Sequence, residues 1–151
     1  MLDSTDLKLL ATLQQNCQIA AHELGDILHL SPSQANRRKL RLESQGVIRG
    51  YVARLDPEAL GLGVQAFLRV TMSAHSRESA RSFSQLTSIQ PEIASVWTLT
   101  GESDYLLRVY CQDLKDLNNL IHEVLLRHEG VARIQSQIVM DQPKDDFRLP
   151  V

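Results

Sequence analysis

The first third of the chain repeats apolar residues at the spacing of three short helices. The first helix is predicted from Ser4 to Asn16 and the second, a shorter one, from about Ala20 to Leu28. The third begins at Ser31-Pro32, because serine caps free amide groups and proline at the first helical position loses no hydrogen bond. It ends at Gly46, since glycine readily adopts the left-handed conformation that closes a helix.

The segment after the third helix alternates β-branched and polar residues, so a strand is predicted over Val47–Leu55. The next residues, Asp56–Gly61, predict one helical turn with an N-cap and a glycine stop. Together they form a linker between two domains. The predicted organisation is a helix-turn-helix domain over residues 1–50, the linker over 51–62, a second domain over 63–142 and a C-terminal tail over 143–151.

The second domain is predicted to contain, in order, a strand, a helix, two strands, a helix and a strand. The strands are predicted at Val64–Met72, Ile93–Leu99, Tyr105–Cys111 and Val131–Met140, and the helices at Ser76–Ile89 and between Asp113 and Gly130. This order is that of a ferredoxin-like βαββαβ unit with both helices on one sheet face. The predicted fold class is therefore α+β. The uncovered sheet face is expected to pack against a second copy in a homodimer.

The overall charge changes this picture little, but the distribution of charge along the chain changes it more. A net charge of −2 argues against a protein that coats nucleic acid by bulk charge. Between Ser31 and Leu55, however, Glu43 is the only acidic residue. The basic residues there are Arg37, Arg38, Lys39, Arg41, Arg49 and Arg54.

Two short helices joined by a tight turn, with polar residues and then cations on the second, are typical of a DNA-binding helix-turn-helix. The early polar residues of the third helix are short enough to contact base edges, and the arginines can contact bases or phosphates. The alternative is a solvated cationic helix face. The residues expected to contact double-stranded DNA are Ser31, Ser33, Gln34, Asn36, Arg37, Arg38 and Arg41.

Catalytic, metal and cofactor sites are not indicated. Cys17 and Cys111 are expected to be reduced packing residues, because two distant cysteines in apolar patterns form neither a disulfide framework nor a metal knuckle. No secretory leader or membrane-length apolar run is present, so a cytoplasmic protein that does not contact membranes is expected. The histidines fall in separate elements without ligand spacing and are His22, His29, His75, His122 and His128.

Several segments, taken in order and spacing, resemble those of one family. In the N-terminal part they are Leu2-Asp3 with Asp6 and Leu9-Leu10, Leu30-Ser31-Pro32-Ser33, Arg37-Arg38, and Arg41-Leu42-Glu43 running on to Gly46–Tyr51. In the second domain they are Leu99-Thr100-Gly101 with Asp104–Leu107, and Gly130-Val131 with Ile138-Val139. From Leu2 to Met140 the chain resembles the Lrp/AsnC family of feast/famine transcription regulators. Lys39-Leu40 departs from the common order of an apolar residue followed by a basic one, and Ser136 replaces a more usual threonine.

The resemblance implies a DNA-binding regulator whose second domain is a sensor and oligomerisation domain. It implies homodimers that associate further into octamers, with an amino acid effector bound between sensor domains of neighbouring dimers. Asp104 would hold the ammonium group and amides around Gly101 the carboxylate. From the residues alone, both could simply shape the turn. The implied effector residues are Thr98, Thr100, Gly101, Asp104, Tyr105 and Ser136.

The predicted function is thus a sequence-specific transcriptional regulator that responds to a small effector, with no enzymatic activity. The alternative is a stand-alone metabolite-binding or architectural DNA-associated protein without a regulatory ligand.

Overall fold

A computed structural model describes residues 1–73, 76–144 and 148–151 of the 151-residue chain. The chain forms two compact units. The helical unit comprises Met1–Arg54 with Lys144–Val151, and the sheet unit comprises Leu55–Pro143. His75 and the middle of the predicted tail lie outside the described residues.

The helical unit contains the three predicted helices, α1 (Ser4–Gln15), α2 (Ala21–Leu28) and α3 (Pro32–Ser44). Their ends confirm the capping expected from the sequence: Ser31 caps α3, and Gly46 follows it with a φ of 70°. Each helix buries one apolar stripe. The core of this unit consists of Leu9, Leu13, Leu24, Leu28, Ala35 and Leu42.

The turn between α2 and α3 brings two stretches of backbone unusually close. The Leu30 amide donates to the Gly25 carbonyl oxygen at 2.9 Å. A Cβ atom on Gly25 would lie only 2.7 Å from the Leu30 carbonyl oxygen. Only glycine therefore fits this position without a shift of the backbone, and the start of α3 is held against the end of α2.

The predicted strand over Val47–Leu55 is wrong. Within the described residues this segment has no strand assignment and joins no sheet pairing. A strand needs a hydrogen-bonded neighbour, and alternation of residue types alone does not supply one. The single turn predicted next is present: the Asp56 carboxylate accepts from the Glu58 amide at 3.0 Å, and Gly61 has a φ of 74°.

The sheet unit has the predicted ferredoxin-like α+β architecture. Its elements are β1 (Val64–Met72), α4 (Arg77–Ser88), β2 (Ile93–Thr98), β3 (Tyr105–Cys111), α5 (Leu114–Asn119) and β4 (Val131–Ile138). Helix α5 continues as a π-helical segment over Leu120–Leu125. The four antiparallel strands lie in the order β2-β3-β1-β4.

The two faces of the sheet differ in how they are covered. One face packs against the helices, with Phe83 from α4 and Leu117 from α5 in the same buried cluster as the alternate strand residues. The register places the other alternate residues, among them Phe67, Trp97 and Leu106, on the opposite face, where they are exposed or half-buried. In the described part of the chain, no helix is long and apolar enough to cross a membrane.

The two cysteines do not share one environment. Cys111 is buried at the end of β3, and burial raises the pKa of its thiol to about 11. Cys17 is exposed in the turn after α1, so its expected packing role is wrong. Its immediate neighbours, Asn16 and Gln18, are polar, and the chain has already left the helix whose face is buried.

Candidate nucleic-acid interface and effector region

The surface of α3 opposite the core is formed by four residues that we call the outer face of α3: Ser33, Asn36, Arg37 and Leu40. At 3.6 residues per turn they fall within a strip about 100° wide, pointing away from buried Leu42. All four are exposed. Among the described residues, none forms a side-chain hydrogen bond or ion pair with Asn36 or Arg37. This strip is therefore available to a partner molecule.

Arg38 and Arg41 form ion pairs within the helical unit, which sequence reasoning did not predict. One Arg38 nitrogen lies 2.7 Å from a carboxylate oxygen of Asp3 and 2.8 Å from one of Asp6. An Arg41 nitrogen lies 2.6 and 2.7 Å from the two oxygens of Asp6. These ion pairs join α3 to the first turn of α1. The two arginines thus hold the third helix in place.

Asp6 is the centre of this cluster, and its side chain is 1% exposed. Burial alone would raise its pKa, but the Asp3 amide and the guanidinium groups of Arg38 and Arg41 outweigh burial and lower it. Hydrogen bonding from Arg38 likewise lowers the pKa of Asp3. Hydrogen bonds to Asp3 and Asp6 raise the pKa of Arg38. Asp3, Asp6 and Arg38 are therefore charged near neutral pH.

Ser31 and Gln34 form the cap of α3. The Gln34 amide donates to the Ser31 hydroxyl at 3.2 Å, and the Gln34 side-chain oxygen accepts from the Ser31 amide at 3.0 Å. This reciprocal arrangement is a capping box. Both side chains remain exposed, but their oxygens are already engaged in fixing the start of the helix.

Lys39 and Tyr51 form a contact that sequence reasoning missed. The Lys39 ammonium lies 5.0 Å from the centre of the Tyr51 ring, a cation–π arrangement. The Tyr51 hydroxyl donates to the Glu43 carboxylate at 2.8 Å. Burial and this carboxylate raise the pKa of Tyr51 to about 12. An exposed aromatic residue just after a cationic helix was the available clue.

The loop expected to hold an effector is fastened to its own sheet through Asp104. The Asp104 carboxylate accepts from the Met72 amide at 2.7 Å, and its backbone amide donates to the Val70 carbonyl at 2.9 Å. The Leu99 amide donates to the Asp104 carbonyl at 2.8 Å. This geometry favours the turn-shaping role that the residues alone had left open. Asp104 thus joins the loop to the end of β1.

The rest of the loop faces solvent. Thr100 and Gly101 are exposed, and Gly101 has a φ of 109°, which side chains rarely allow. Thr98 and Tyr105 are paired in the sheet and line a groove of about 480 Å³ between α4 and the edge strand β2. The described residues that line this groove carry hydroxyl and apolar groups and no charge.

Ser136 lies far from these residues within one chain. It is on β4 and pairs with Leu68, whereas Thr98 is on β2 at the opposite sheet edge. Three strand spacings of about 4.8 Å separate the edges, so the distance is about 14 Å. One chain therefore does not bring Ser136 together with Thr98.

Two comparisons of the sequence agree with this geometry. Residues 2–43 match the AsnC-type helix-turn-helix domain, and residues 65–149 match the Lrp/AsnC ligand binding domain. The chain belongs to the Lrp/AsnC family. It is a transcriptional regulator of Lrp/AsnC type with a DNA-binding helix-turn-helix domain and a ligand-binding domain.

Relatives within the Lrp/AsnC family match over nearly their whole length. The DNA-binding transcriptional activator DecR of Escherichia coli K12 is 36% identical over 151 residues, covering 100% of this chain and 99% of DecR. A leucine-responsive regulatory protein of Rhizobium meliloti is 33% identical over 150 residues, covering 99% and 96%. A Neisseria meningitidis transcriptional regulator, solved as an L-Met complex, has a TM-score of 0.95 and 38% identity over 99% of this chain and 97% of that one.

His128 makes contacts that shape the sheet unit of this Lrp/AsnC protein. In residues 1–73, 76–144 and 148–151, no group of three His, Cys, Asp or Glu side chains is placed to hold a metal ion. His128 has a local role: its Nδ1 accepts from the Gly130 amide at 3.1 Å, and its Nε2 lies 3.0 Å from the Ser82 hydroxyl. These contacts hold the turn before β4 against α4.

Proposed function

We propose that the protein is a sequence-specific regulator that inserts the outer face of α3 into the major groove of its operator. Supporting this proposal, α3 is the second helix of the helix-turn-helix, and its outer face is exposed and carries, beside Leu40, two polar residues and the cation Arg37. The single observation that carries the proposal is the contrast within this helix: Arg38 and Arg41 form internal ion pairs, while Arg37 has no partner among the described residues. Because its target is chromosomal DNA, we expect it to act in the cytoplasm.

The test of DNA binding compares Arg37→Ala with Arg81→Ala, a matched change at an exposed arginine on α4. Arg37→Ala should weaken binding to a selected operator about tenfold and reduce the salt dependence by about one counterion, as expected for a lost phosphate contact. Arg81→Ala should bind as the wild type does. Fluorescence anisotropy across a salt series measures both. Equal affinities for all three proteins would contradict the proposed interface.

We further propose that the effector is an amino acid bound between sheet units of different copies. Ser136 on β4 and Thr98 on β2 lie at the two opposite edges of one sheet, so Ser136 completes a site with Thr98 only when a second copy supplies it. The uncovered apolar sheet face supports association of copies as a homodimer and higher oligomer. The related Neisseria regulator was solved with L-Met, so L-Met is the first ligand to try.

The effector proposal is tested by calorimetric titration of L-Met and then of the other amino acids. For the ligand that binds, Thr98→Ala and Ser136→Ala should each weaken binding at least tenfold. The two variants are then mixed, partially unfolded and reassembled. A fraction of the sites should regain wild-type affinity, because in these sites the Ser136→Ala chain supplies Thr98 and the Thr98→Ala chain supplies Ser136. Absence of restoration would place the site within one chain. DNA binding without any amino acid response would favour the architectural alternative.

A further inference from the structure

The outer face of α3 contains one large apolar residue among its polar ones. Leu40 is 55% exposed and is absent from the buried cluster of the helical unit and from the apolar residues packed against it. It follows Asn36 and Arg37 by four and three residues, so these three side chains are neighbours on the helix surface. Leu40 therefore lies on the surface that the proposed function directs toward DNA.

The basic residues next to Leu40 in sequence have partners away from the outer face of α3. Arg38 and Arg41 face Asp6, and Lys39 lies over the Tyr51 ring. Although the sequence of α3 is highly basic, its outer face is only weakly charged and has an apolar end. An exposed leucine gains stability when a partner removes it from water. A partner with an apolar group at this position would therefore be favoured.

Base edges in the major groove offer one such group. The C5-methyl of thymine is apolar, whereas the other major-groove groups are hydrogen-bond donors and acceptors. Leu40 follows Ser33 by seven residues, or about 10 Å along the helix axis, which corresponds to about three base-pair steps. A helix lying along the groove would thus place Leu40 about three base pairs from the base contacted by Ser33.

We propose that Leu40 is a specificity-determining residue that packs against a thymine methyl group in each operator half-site. This inference rests on the proposed DNA-binding function and adds to it the base that the third turn of α3 selects. Loss of one buried methyl contact should change the dissociation constant about fourfold.

The experiment uses the full-length protein and an operator duplex selected from a random pool. Each thymine is replaced in turn by deoxyuridine, which removes only the methyl group, and dissociation constants are measured for the wild type and Leu40→Ala. One replacement per half-site should weaken wild-type binding about fourfold and leave Leu40→Ala binding unchanged. Leu114→Ala, a matched change at a leucine exposed at the start of α5, should retain the wild-type response.

Other outcomes separate this inference from the proposed function. If no duplex is bound in a salt-dependent way, the DNA-binding function itself is wrong. If DNA binds but no thymine methyl affects wild-type and Leu40→Ala proteins differently, the role of Leu40 is wrong and the function stands. A change in oligomer size caused by Leu40→Ala, measured by light scattering, would place Leu40 at an interface between copies and would also overturn the inference.

Discussion

The outer face of α3 and the effector region differ in how much of a binding surface one chain supplies. On α3, four exposed residues form a continuous strip on one rigid helix. In the sheet unit, Thr98 and Ser136 lie at opposite sheet edges, and the Asp104 carboxylate accepts from the backbone of its own chain. The surface that we propose for DNA contact is thus contained in one copy, whereas the effector site that we propose needs a second copy.

A second lesson comes from the charged residues in the two regions. Both Asp6 and Asp104 are carboxylates that bind groups of their own unit, but Asp6 neutralises two arginines whereas Asp104 accepts from a neutral amide. Such internal bonds orient neighbouring groups without contacting a ligand. Substitutions of such residues are therefore expected to lower stability before they affect binding. Each one tests whether the residue orients its own unit or contacts a ligand.

The largest effect is expected for Asp6→Asn. The change leaves Arg38 and Arg41 without their shared counter-charge, although both retain access to water, so the free energy of unfolding of the helical unit should fall by about 2–4 kcal/mol. Hydrogen exchange of α1 and α3 amides measures this loss locally. Asp26→Asn, a change at an exposed carboxylate, is the control. Unchanged exchange in Asp6→Asn would show that the ion pairs contribute little.

The same variant should alter the dependence of stability on pH. Asp3 and Asp6 have pKa values lowered from 3.8 in the folded protein, so their stabilisation is present above that ordinary value and is lost as pH falls through the lowered values. Wild-type stability should therefore decline below about pH 4. The decline should be shallower for Asp6→Asn. Parallel curves for the two proteins would contradict this assignment.

A smaller effect is expected for Asp104→Ala, which leaves the Met72 amide without its acceptor. The sheet unit should lose about 1–3 kcal/mol of unfolding free energy. Urea unfolding followed by Trp97 fluorescence measures this loss, with Glu102→Ala in the same loop as the control. If Asp104→Ala instead kept full stability and lost only the amino acid response, Asp104 would be a ligand contact after all.

The smallest effect is expected for Gly101→Ala. Its φ of 109° disfavours any side chain, but an added Cβ would meet no atom within 4 Å, so only backbone strain of about 1–2 kcal/mol is expected. Thermal unfolding should show a correspondingly modest decrease, again relative to Glu102→Ala. A loss larger than that of Asp104→Ala would reverse the ranking of the two loop residues.

Sequence reasoning succeeded where the residues that determine a helix or strand are close together in the sequence. Capping residues such as Ser31 and Asp113, and apolar periodicity, lie within the element they specify, so most helix and strand bounds agree with the structure within a few residues. It failed for Val47–Leu55, whose conformation depends on a pairing partner. It also missed the partners of Arg38 and Arg41, because Asp3 and Asp6 are more than thirty residues away in sequence.

The arrangement of α3 also bears on how such regulators diversify. Its position depends on Leu42 and on the ion pairs of Arg38 and Arg41, whereas its outer face contributes little to folding. Substitutions on exposed positions usually change stability by less than about 0.5 kcal/mol. Under the proposed function, the target sequence can therefore change through a few outward residues, while the scaffold that presents them remains intact.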